Sequence, residues 1–504
     1  MPEQPQPYVG PRPFKREDAR FFFGRERESN ELLSLVISHP EVLLYAQSGA
    51  GKTSLINAKL LPLLEDEGLE MLPLARVQGP PSALPQSQIA NIYVFNTLVS
   101  WTKGAAAPEK LAKMTLREFL KQREQPMEKE GLPEPCVAVF DQFEELFTSY
   151  PEHWEQRRGF FEQVRDALDA NTRLRTLFAM REDYVAAIDR HARITPEEFR
   201  IRFHLENLRE PQALDAVKGP LTRDQRRHFA PDVAEELVKE LMKTQVETAC
   251  GRTESITGEF VEPIMLQVVC ERLWRDLKPE DTEITFAHLE TANVEKALLS
   301  FYEGSIQDVA QQTHIPEAAL RSWFEKRLVT PAGTRGLVFR GDTETVGLPN
   351  EAVDALDKLH LIRSEVRGGS RWYELTHDRF IDSIRKSRER LLRNTILTWN
   401  VLCHATALVG FFVPWAGHIL GPLIVWLAKR GYSSEIDEHG KESLNFQISM
   451  LIYNVVAGVL CLVLIGFVLL LILQILNLVL VIVASIQAGQ AKFYRYPLTI
   501  RLIK

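Results

Sequence analysis

The chain contains 504 residues, of which 25% are charged, and its formal net charge at pH 7 is −7. This length leaves room for about three or four domains, and the acidic balance argues against a nucleic acid as the main partner. The five cysteines form no Cys-x-x-Cys pair, so they indicate neither a zinc site nor a disulfide framework.

A phosphate-binding loop is predicted near the start of the chain. Residues 46–53 read Ala-Gln-Ser-Gly-Ala-Gly-Lys-Thr and lie between an apolar run, residues 42–45, and an amphipathic stretch, residues 54–64. Glycines let backbone N–H groups turn toward a polyphosphate, while Lys reaches the β- and γ-phosphates and the Thr hydroxyl holds Mg²⁺. The predicted nucleotide-binding residues of this loop are Ser48, Gly49, Ala50, Gly51, Lys52, Thr53 and Ser54. Ala46 replaces the first Gly of the usual pattern, which is acceptable if its φ is negative, and an ordinary Gly-rich turn is the alternative.

An acidic element follows the next apolar run, residues 136–140. A phosphate-binding loop needs carboxylates at the end of a neighbouring strand for Mg²⁺ and for the attacking water. Asp141 is predicted to bind Mg²⁺ through water, and Glu144, with Glu145 as second choice, to polarise the attacking water. The alternative is that these carboxylates begin a helix, where negative charge suits the helix dipole.

A third apolar run, residues 174–180, ends at Arg181. A cation at the carboxyl end of such a strand is placed to contact a terminal phosphate, which is the property of a nucleotide-state sensor. A structural salt bridge is the alternative.

The last hundred residues are predicted to lie in a bilayer. Residues 394–428 and 443–491 contain no Asp, Glu, Lys or Arg. At ~1.5 Å per residue the second stretch is long enough to cross a ~30 Å hydrocarbon core twice, and Gly466 is the predicted point of reversal. The predicted apolar segments are 394–413, a short or re-entrant 417–428, 446–466 and 468–488.

Basic residues precede the first segment, separate the second from the third and follow the last. All three of these flanks can be cytoplasmic if there are four crossings. The sequence therefore predicts a multi-pass inner-membrane protein with a cytoplasmic nucleotide site. Three crossings, or a buried helical hairpin in a soluble domain, are the alternatives.

The chain resembles STAND NTPases, and more narrowly the bacterial novel STAND group. The segments that carry this resemblance are Tyr8-Val9-Gly10-Pro11-Arg12-Pro13-Phe14, Phe23-Gly24-Arg25-Glu26, the loop ending in Lys52-Thr53-Ser54-Leu55, and Asp141-Gln142-Phe143-Glu144-Glu145-Leu146-Phe147. The resemblance implies that ATP or ADP binds with Mg²⁺ and that Gly24 and Arg25 belong to the nucleotide site.

The same resemblance extends to two later positions. Pro263 is similar to the family's proline that approaches the nucleotide base, although it also suits a plain helix start. Residues 318–388 look like the family's winged-helix domain, with a hairpin around Gly368-Gly369. His377, in Thr376-His377-Asp378, corresponds to the histidine that contacts the β-phosphate of ADP, although a helix cap is the alternative.

These observations predict an α/β P-loop core with a parallel sheet, followed by helical, winged-helix and all-α transmembrane domains. The predicted bounds are 1–205, 206–315, 316–390 and 394–504, and the last domain resembles a Tic20-related membrane family. The resemblance implies a switch from an ADP-bound inactive form to an ATP-bound homo-oligomer, set by slow hydrolysis, that disrupts the membrane in anti-phage defence. The alternative is a membrane-anchored ATPase scaffold that recruits a partner. A separate sensor protein, or the helical region 211–303, is expected to detect the trigger.

Overall fold

The computed structural model describes residues 6–79, 84–123, 134–224, 226–247, 253–291, 293–330, 335–367, 370–377, 379–412 and 417–504. The chain divides into two compact units, Met1–Ile384 and Arg385–Lys504, which are called unit 1 and unit 2. The finer division of unit 1 into three domains stays a prediction.

The described part of unit 1 begins with a five-stranded parallel sheet in the order β2-β3-β4-β1-β5. Its strands are β1 (Glu41–Ala46), β2 (Glu70–Met71), β3 (Cys136–Phe140), β4 (Leu174–Arg181) and β5 (Arg202–His204). The sequences of β1, β3 and β4 are almost continuously apolar because both faces of the sheet are covered, one by a cluster rich in phenylalanine.

Helices cover this sheet. They are α1 (Glu26–Ser38), α2 (Lys52–Leu55), α3 (Leu61–Asp66), α4 (Ile92–Trp101), α5 (Pro108–Leu111), α6 (Leu116–Gln122), α7 (Glu145–Thr148), α8 (Gln156–Ala170) and α9 (Val185–Ile188). A π-helical turn, Ile56–Leu60, joins α2 to α3 without a break. The predicted α/β P-loop fold class is therefore confirmed.

A mainly helical region follows the sheet. Its elements are α10 (Glu210–Asp224), β6 (His228–Phe229), α11 (Val233–Met242), β7 (Lys243–Glu247), β8 (Thr253–Thr257), α12 (Pro263–Asp276), β9 (Glu283–Ile284), α13 (Phe286–Thr291) and α14 (Val294–Thr313). Short helices and a small antiparallel sheet, ordered β10-β14-β13 among the described residues, complete unit 1. These elements are α15 (Glu317–Trp323), β10 (Val338–Phe339), β11 (Glu344–Thr345), β12 (Leu348–Pro349), α16 (Asn350–Lys358), β13 (Ile362–Arg367) and β14 (Ser370–Leu375).

The helical region and the small sheet share one apolar core, which contains Leu266, Tyr302, Leu356 and Tyr373. The predicted hairpin is present as β13 and β14, whereas Gly368, Gly369 and Asp378 lie outside the described residues. The name winged helix for this part stays a prediction.

Unit 2 consists of helices. The boundary between the units falls within α17 (Arg379–Ala405), which is followed by α18 (Gly417–Lys429), α19 (Ser434–Leu460) and α20 (Ile465–Gly489). In the described part of the chain, α19 and α20 are the two helices long and apolar enough to cross a membrane, with mean hydropathies of 1.4 and 3.0.

The helix ends of unit 2 differ in detail from the predicted segments. Regular α-helix stops at Ala405 rather than at residue 413, and the predicted break at residues 414–416 lies outside the described residues. The chain reverses at residues 461–464, where Leu464 has φ +64°, and not at Gly466. Gly466 has a different role: a Cβ there would lie 2.2 Å from the Ala457 carbonyl oxygen, so its small size allows α20 to approach α19 closely.

Candidate functional site

A cavity of about 300 Å³ lies at the carboxyl ends of β1, β3 and β4. Ligands of open α/β sheets bind at this edge. The predicted loop residues that line the cavity are Ser48, Gly49, Ala50, Gly51, Lys52, Thr53 and Ser54. The structure therefore brings together all seven predicted residues of the loop.

The loop has the backbone conformation that its glycines allow. Gly49 and Gly51 have φ of +82° and +95°, and a Cβ built on Gly51 meets no protein atom within 4 Å. Open space next to positive-φ glycines is what a closely approaching ligand requires. Ala46 ends β1 as part of the strand, so the missing first Gly creates no conformational conflict.

Lys52, Thr53 and Asp141 form the polar floor of the cavity. The Lys52 ammonium donates to the carbonyl oxygens of Ala46 and Gln47, both at 3.1 Å, and burial lowers the pKa of Lys52. The Thr53 hydroxyl lies 3.0 Å from Asp141 Oδ2 and 3.2 Å from Oδ1. Burial raises the pKa of Asp141, although the bond from Thr53 opposes this change.

The oxygens of Thr53 and Asp141 fit Mg²⁺. The Thr53 hydroxyl can coordinate the ion directly and the nearby Asp141 carboxylate can hold it through a water molecule, since Mg²⁺ usually keeps several waters and takes phosphate oxygens as further ligands. Among the described residues, no group of three or more His, Cys, Asp or Glu side chains is placed to hold a metal by itself. The donor set therefore suits an ion that arrives with a phosphate ligand.

The two candidate catalytic carboxylates lie in different surroundings. Glu144 lines the cavity, and its Oε2 accepts a hydrogen bond from the Arg181 backbone N–H at 3.2 Å. Burial raises the pKa of Glu144, while the charges of Lys52 and Arg181 oppose this shift. Glu145 does not line the cavity and is ion-paired with Arg76. The geometry favours Glu144 over Glu145 for contact with a reacting water.

Arg181 lines the cavity and also makes the structural contacts that were the alternative prediction. It lies 3.2 Å from Asp183 in an ion pair, and its Nη1 donates to Ser364 Oγ at 2.9 Å. Burial opposes its charge, but Asp357, Asp183 and Glu144 together raise the pKa of Arg181. Arg181 is thus available to both the cavity and the small sheet.

Arg25 and Gly24 serve the site in different ways. The buried Arg25 lines the cavity, and its guanidinium donates to the Ala50 carbonyl oxygen at 3.2 Å and to the Glu206 carbonyl oxygen at 2.7 Å. Gly24 does not line the cavity. It has φ +81°, and a Cβ would lie 2.2 Å from the Gln212 carbonyl oxygen, so glycine is required there for packing.

Of the two later positions predicted to contact the nucleotide, Pro263 lines the cavity and His377 does not. Pro263 begins α12 and also lines the cavity, next to Ile264 and Gln267, so both of its predicted roles remain compatible with the structure. His377 does not line the cavity. Its Nδ1 accepts a hydrogen bond from the Arg379 backbone N–H at 3.0 Å, which is the helix-cap arrangement.

Sequence reasoning missed a histidine that does line the cavity. His360 follows α16 with φ +58°, and its buried Nδ1 has no hydrogen-bond partner among the described residues. Burial, with the charges of Arg181 and Lys52, lowers the pKa of His360 to about 4. The sequence gives no sign that this side chain lines the cavity.

Other lining residues come from segments far apart in the chain. The N-terminal segment contributes the charged Arg12 and a set of apolar and aromatic residues, which are called the apolar wall. Asp357 and Lys358 come from a later region of unit 1. The members of the apolar wall are Gly10, Pro11, Pro13, Phe14, Phe21, Phe22 and Phe23. The lining therefore combines charged groups of both signs with the aromatic and apolar groups of the apolar wall.

Several solved structures share a limited likeness with the chain. The Walker-type ATPase of Pyrococcus abyssi is 15% identical, with a TM-score of 0.39 over 74% of this chain and 98% of that one. The Aeropyrum pernix ORC2 protein in its ADP form is 15% identical, with a TM-score of 0.37 over 72% and 94%. The Aeropyrum pernix ORC1 protein in complex with DNA is 14% identical, with a TM-score of 0.37 over 75% and 98%. None of these TM-scores reaches 0.5, so the fold assignment depends on the sheet and loop described above.

The comparison with curated proteins found no match. Residues 396–503 match a family described as the magnetosome magnetite crystal formation protein family. Residues 7–394 match the family described as Novel STAND NTPase 1. Because this second match spans most of the chain and includes every element around the cavity, the protein belongs to the Novel STAND NTPase 1 family.

Proposed function

We propose that the chain is a nucleotide-gated switch that binds ADP in a closed form and ATP in an oligomeric form. One observation carries this proposal: the cavity of the phosphate-binding loop is walled both by the parallel-sheet core and by residues 357–360 of the following region. A ligand in that cavity touches both parts, so its identity can change the contact between them.

Differential binding is sufficient to drive such a switch. A ligand that prefers one state by ~5.5 kcal/mol moves a two-state equilibrium from 1:99 to 99:1. A diphosphate and a triphosphate differ by one charged group, and the charged side chains that line the cavity, which include Lys52, Arg181 and Glu144, respond to that difference.

The residues of the cavity suit these ligands. Thr53 and Asp141 are proposed to hold Mg²⁺, which neutralises phosphate charge when it is bound. Lys52 contacts the phosphates, and Pro263 and the apolar wall contact the base. Glu144 orients the attacking water. Slow hydrolysis then returns the protein to the closed form.

The proposed output is disruption of a bacterial inner membrane by unit 2. The two apolar helices α19 and α20 support association with a membrane, and α20 contains no Asp, Glu, Lys or Arg. Such a helix lacks the charged residues of a transporter pathway and is suited to lipid contact. Multi-pass topology, a cytoplasmic cavity, a Tic20-type relationship, a separate sensor protein and a role in anti-phage defence belong to this proposal.

A membrane-anchored scaffold is the second candidate, since two apolar helices also suffice for an anchor. Dye leakage distinguishes the two functions. The full chain in mild detergent is expected to contain bound ADP or ATP, and after reconstitution it should release dye from vesicles when ATP and the trigger are supplied.

The matched variants are Lys52→Ala and Lys59→Ala. Lys59 lies 3.4 Å from Glu26 and does not line the cavity, so K59A should retain nucleotide and leakage while K52A loses both. Nucleotide binding without leakage under any condition would favour the scaffold. A protein that retains no nucleotide would refute the switch altogether.

A further inference from the structure

Four polar side chains follow one another along α19. Their spacing of three, four and four residues places them on one face of the helix, and they are called the polar stripe: Glu442, Asn445, Ser449 and Tyr453. Tyr453 lies about three turns, or ~16 Å, beyond Glu442, within a part of α19 that contains no Asp, Glu, Lys or Arg. The first three side chains of the stripe are buried.

The polar stripe binds the C-terminal end of the chain. No helix or strand includes residues 493–504, all of which the structure describes. The backbone of residues 496–503, which are called the strap, is instead bonded to side chains of the stripe. Asn445 makes three of these bonds: its Oδ1 accepts from the N–H groups of Leu502 at 3.0 Å and Ile503 at 2.8 Å, and its Nδ2 donates to the Ile503 carbonyl oxygen at 2.9 Å.

The middle of the strap contacts the far end of the stripe. The Tyr453 hydroxyl donates to the Leu498 carbonyl oxygen at 2.8 Å, and Ser449 Oγ accepts from the Ile500 N–H at 2.8 Å. Leu498 has φ +55°, which suits a reversal of the chain. The two ends of the strap contact the start of the stripe, so the strap is a loop that runs along α19 and returns.

Glu442 binds the strap at two points. Its Oε1 accepts from the Tyr496 backbone N–H at 2.9 Å, and the Arg501 guanidinium donates to Oε1 at 2.8 Å and to Oε2 at 3.2 Å. Only 5% of Glu442 is exposed. The charge of this buried carboxylate is therefore balanced by a residue of the strap itself.

Strap and stripe satisfy each other's polar groups. Irregular backbone at membrane depth is tolerated only where protein or water supplies hydrogen-bond partners, because unsatisfied polar groups are costly in lipid. The strap directs apolar side chains outward, since Leu498 is 73% exposed and Leu502 is 59% exposed. If the strap leaves α19, the polar stripe needs water as its new partner.

We infer that the polar stripe is the wall of a cation pathway, which the strap closes in the resting form and opens when it leaves the stripe in the oligomer. The inference rests on the proposed function, because it names the surface through which unit 2 permeabilises a membrane. Copies of α19 around one axis bring their Glu442 carboxylates together, and without Arg501 each carboxylate carries an unpaired charge. Rings of carboxylates select cations.

The test measures K⁺ efflux from vesicles of phosphatidylethanolamine and phosphatidylglycerol that contain the full chain, with ATP and Mg²⁺ and without any trigger. Asn445→Ala removes three bonds to the strap, and Arg501→Ala removes the ion pair with Glu442. Each variant should release K⁺ about tenfold faster than the unaltered chain. If N445A does not enter the membrane, R501A decides, because its side chain is partly exposed near the end of the chain.

Asn454→Ala is the matched control. Asn454 lies on the same helix, but its Nδ2 donates to the Met450 carbonyl oxygen at 2.8 Å and its Oδ1 lies 3.5 Å from Gln474 Nε2. Vesicles that contain N454A should therefore retain K⁺ as well as those that contain the unaltered chain.

Ion selectivity distinguishes an opened pathway from a damaged bilayer. Under a KCl gradient, the current through N445A should reverse near the equilibrium potential of K⁺. Adding Glu442→Gln to N445A should move the reversal potential toward zero, because the carboxylate that selects cations is then absent.

Three results are decisive. Retention of K⁺ by both N445A and R501A refutes the strap. A leak through N445A without preference for K⁺, or with a preference that E442Q leaves unchanged, refutes the stripe as the wall of the pathway. Nucleotide binding is measured separately, and its absence in the unaltered chain refutes the proposed switch, whatever the K⁺ efflux of N445A.

Discussion

At the scale of single residues, the proposed hydrolysis assigns the attacking water to Glu144. Glu144→Gln keeps the shape of the side chain but removes the charge that orients water, so nucleotide binding should persist while hydrolysis falls by about 10²–10⁴-fold. Because burial raises the pKa of Glu144, hydrolysis by the unaltered chain should also decline as the pH falls through that raised pKa. Phosphate release from the purified chain measures both effects.

Glu145→Gln is the control for this prediction. Glu145 is ion-paired with Arg76 and does not line the cavity, so E145Q should reduce stability more than hydrolysis. Equal loss of hydrolysis in E144Q and E145Q would contradict the assignment of the reacting water to Glu144.

The buried carboxylate of Glu41, at the start of β1, should make the free energy of unfolding depend on pH. Its Oε1 accepts hydrogen bonds from Thr195 Oγ1 at 3.0 Å and from the Phe199 backbone N–H at 2.7 Å, and burial raises the pKa of Glu41 to about 7. Because the folded-state pKa lies above the unfolded value of 4.5, the neutral carboxyl group of Glu41 contributes its full stability to the fold below pH 4.5. This contribution is lost as the pH rises through 7.

Glu41→Gln should remove this dependence. The free energy of unfolding of E41Q, minus that of the unaltered chain, should rise between pH 5 and pH 8. The rise should be on the order of 3 kcal/mol at most. Denaturant unfolding of the full chain in detergent at the two pH values measures the change. Glu31→Gln, at an exposed position of α1, is the control and should behave like the unaltered chain. A parallel pH response in E41Q and the unaltered chain would show that Glu41 does not titrate in this range.

Some residues of the site can be predicted from the sequence, and others cannot. Lys52, Thr53 and Asp141 are predictable because their geometry follows from one loop and the strand beside it. His360 is not, because the cavity that it lines is formed mainly by residues more than a hundred positions earlier in the chain. His377 shows the reverse: a local motif suggests a phosphate contact, whereas packing turns its ring toward the start of α17.

At the scale of elements, the close approach of the start of α20 to α19 requires a glycine at position 466. Gly466→Ala places a Cβ 2.2 Å from the backbone carbonyl oxygen of Ala457, so the helices must separate, and overpacking of this kind costs about 1–3 kcal/mol. Gly458→Ala is the matched control, because a Cβ at Gly458 meets nothing within 4 Å. Alanine there should be neutral or stabilising by roughly 0.5–1 kcal/mol.

Thermal unfolding of the full chain in detergent, followed by tryptophan fluorescence, compares the two glycine variants. Equal stability of G466A and G458A would show that the close approach at Gly466 is absent in solution. The position of the turn itself was beyond sequence reasoning, since a long uncharged stretch contains no local marker and Leu464 is an unusual residue for φ +64°.

At the scale of the whole molecule, attachment to the membrane should be hydrophobic and independent of the nucleotide. The helix α20 has a mean hydropathy of 3.0 and many exposed apolar side chains. The full chain should therefore stay in the membrane pellet after washes with high salt and alkaline carbonate, which remove proteins held by charge alone, and should dissolve only with detergent.

K52A should fractionate in the same way, because the loop belongs to unit 1 and the apolar helices to unit 2. Release of the chain into the supernatant by either wash would contradict the assignment of α19 and α20 to the bilayer.

The cavity walls have a consequence for biosynthesis. They draw on residues from Gly10 to His360, whereas the apolar helices α19 and α20 begin only at Ser434. Domains fold as units while the ribosome is still adding residues. If the cavity binds a nucleotide as proposed, we expect the pocket to close around it before either hydrophobic helix has left the ribosome, so that a newly made chain reaches the membrane with that ligand bound.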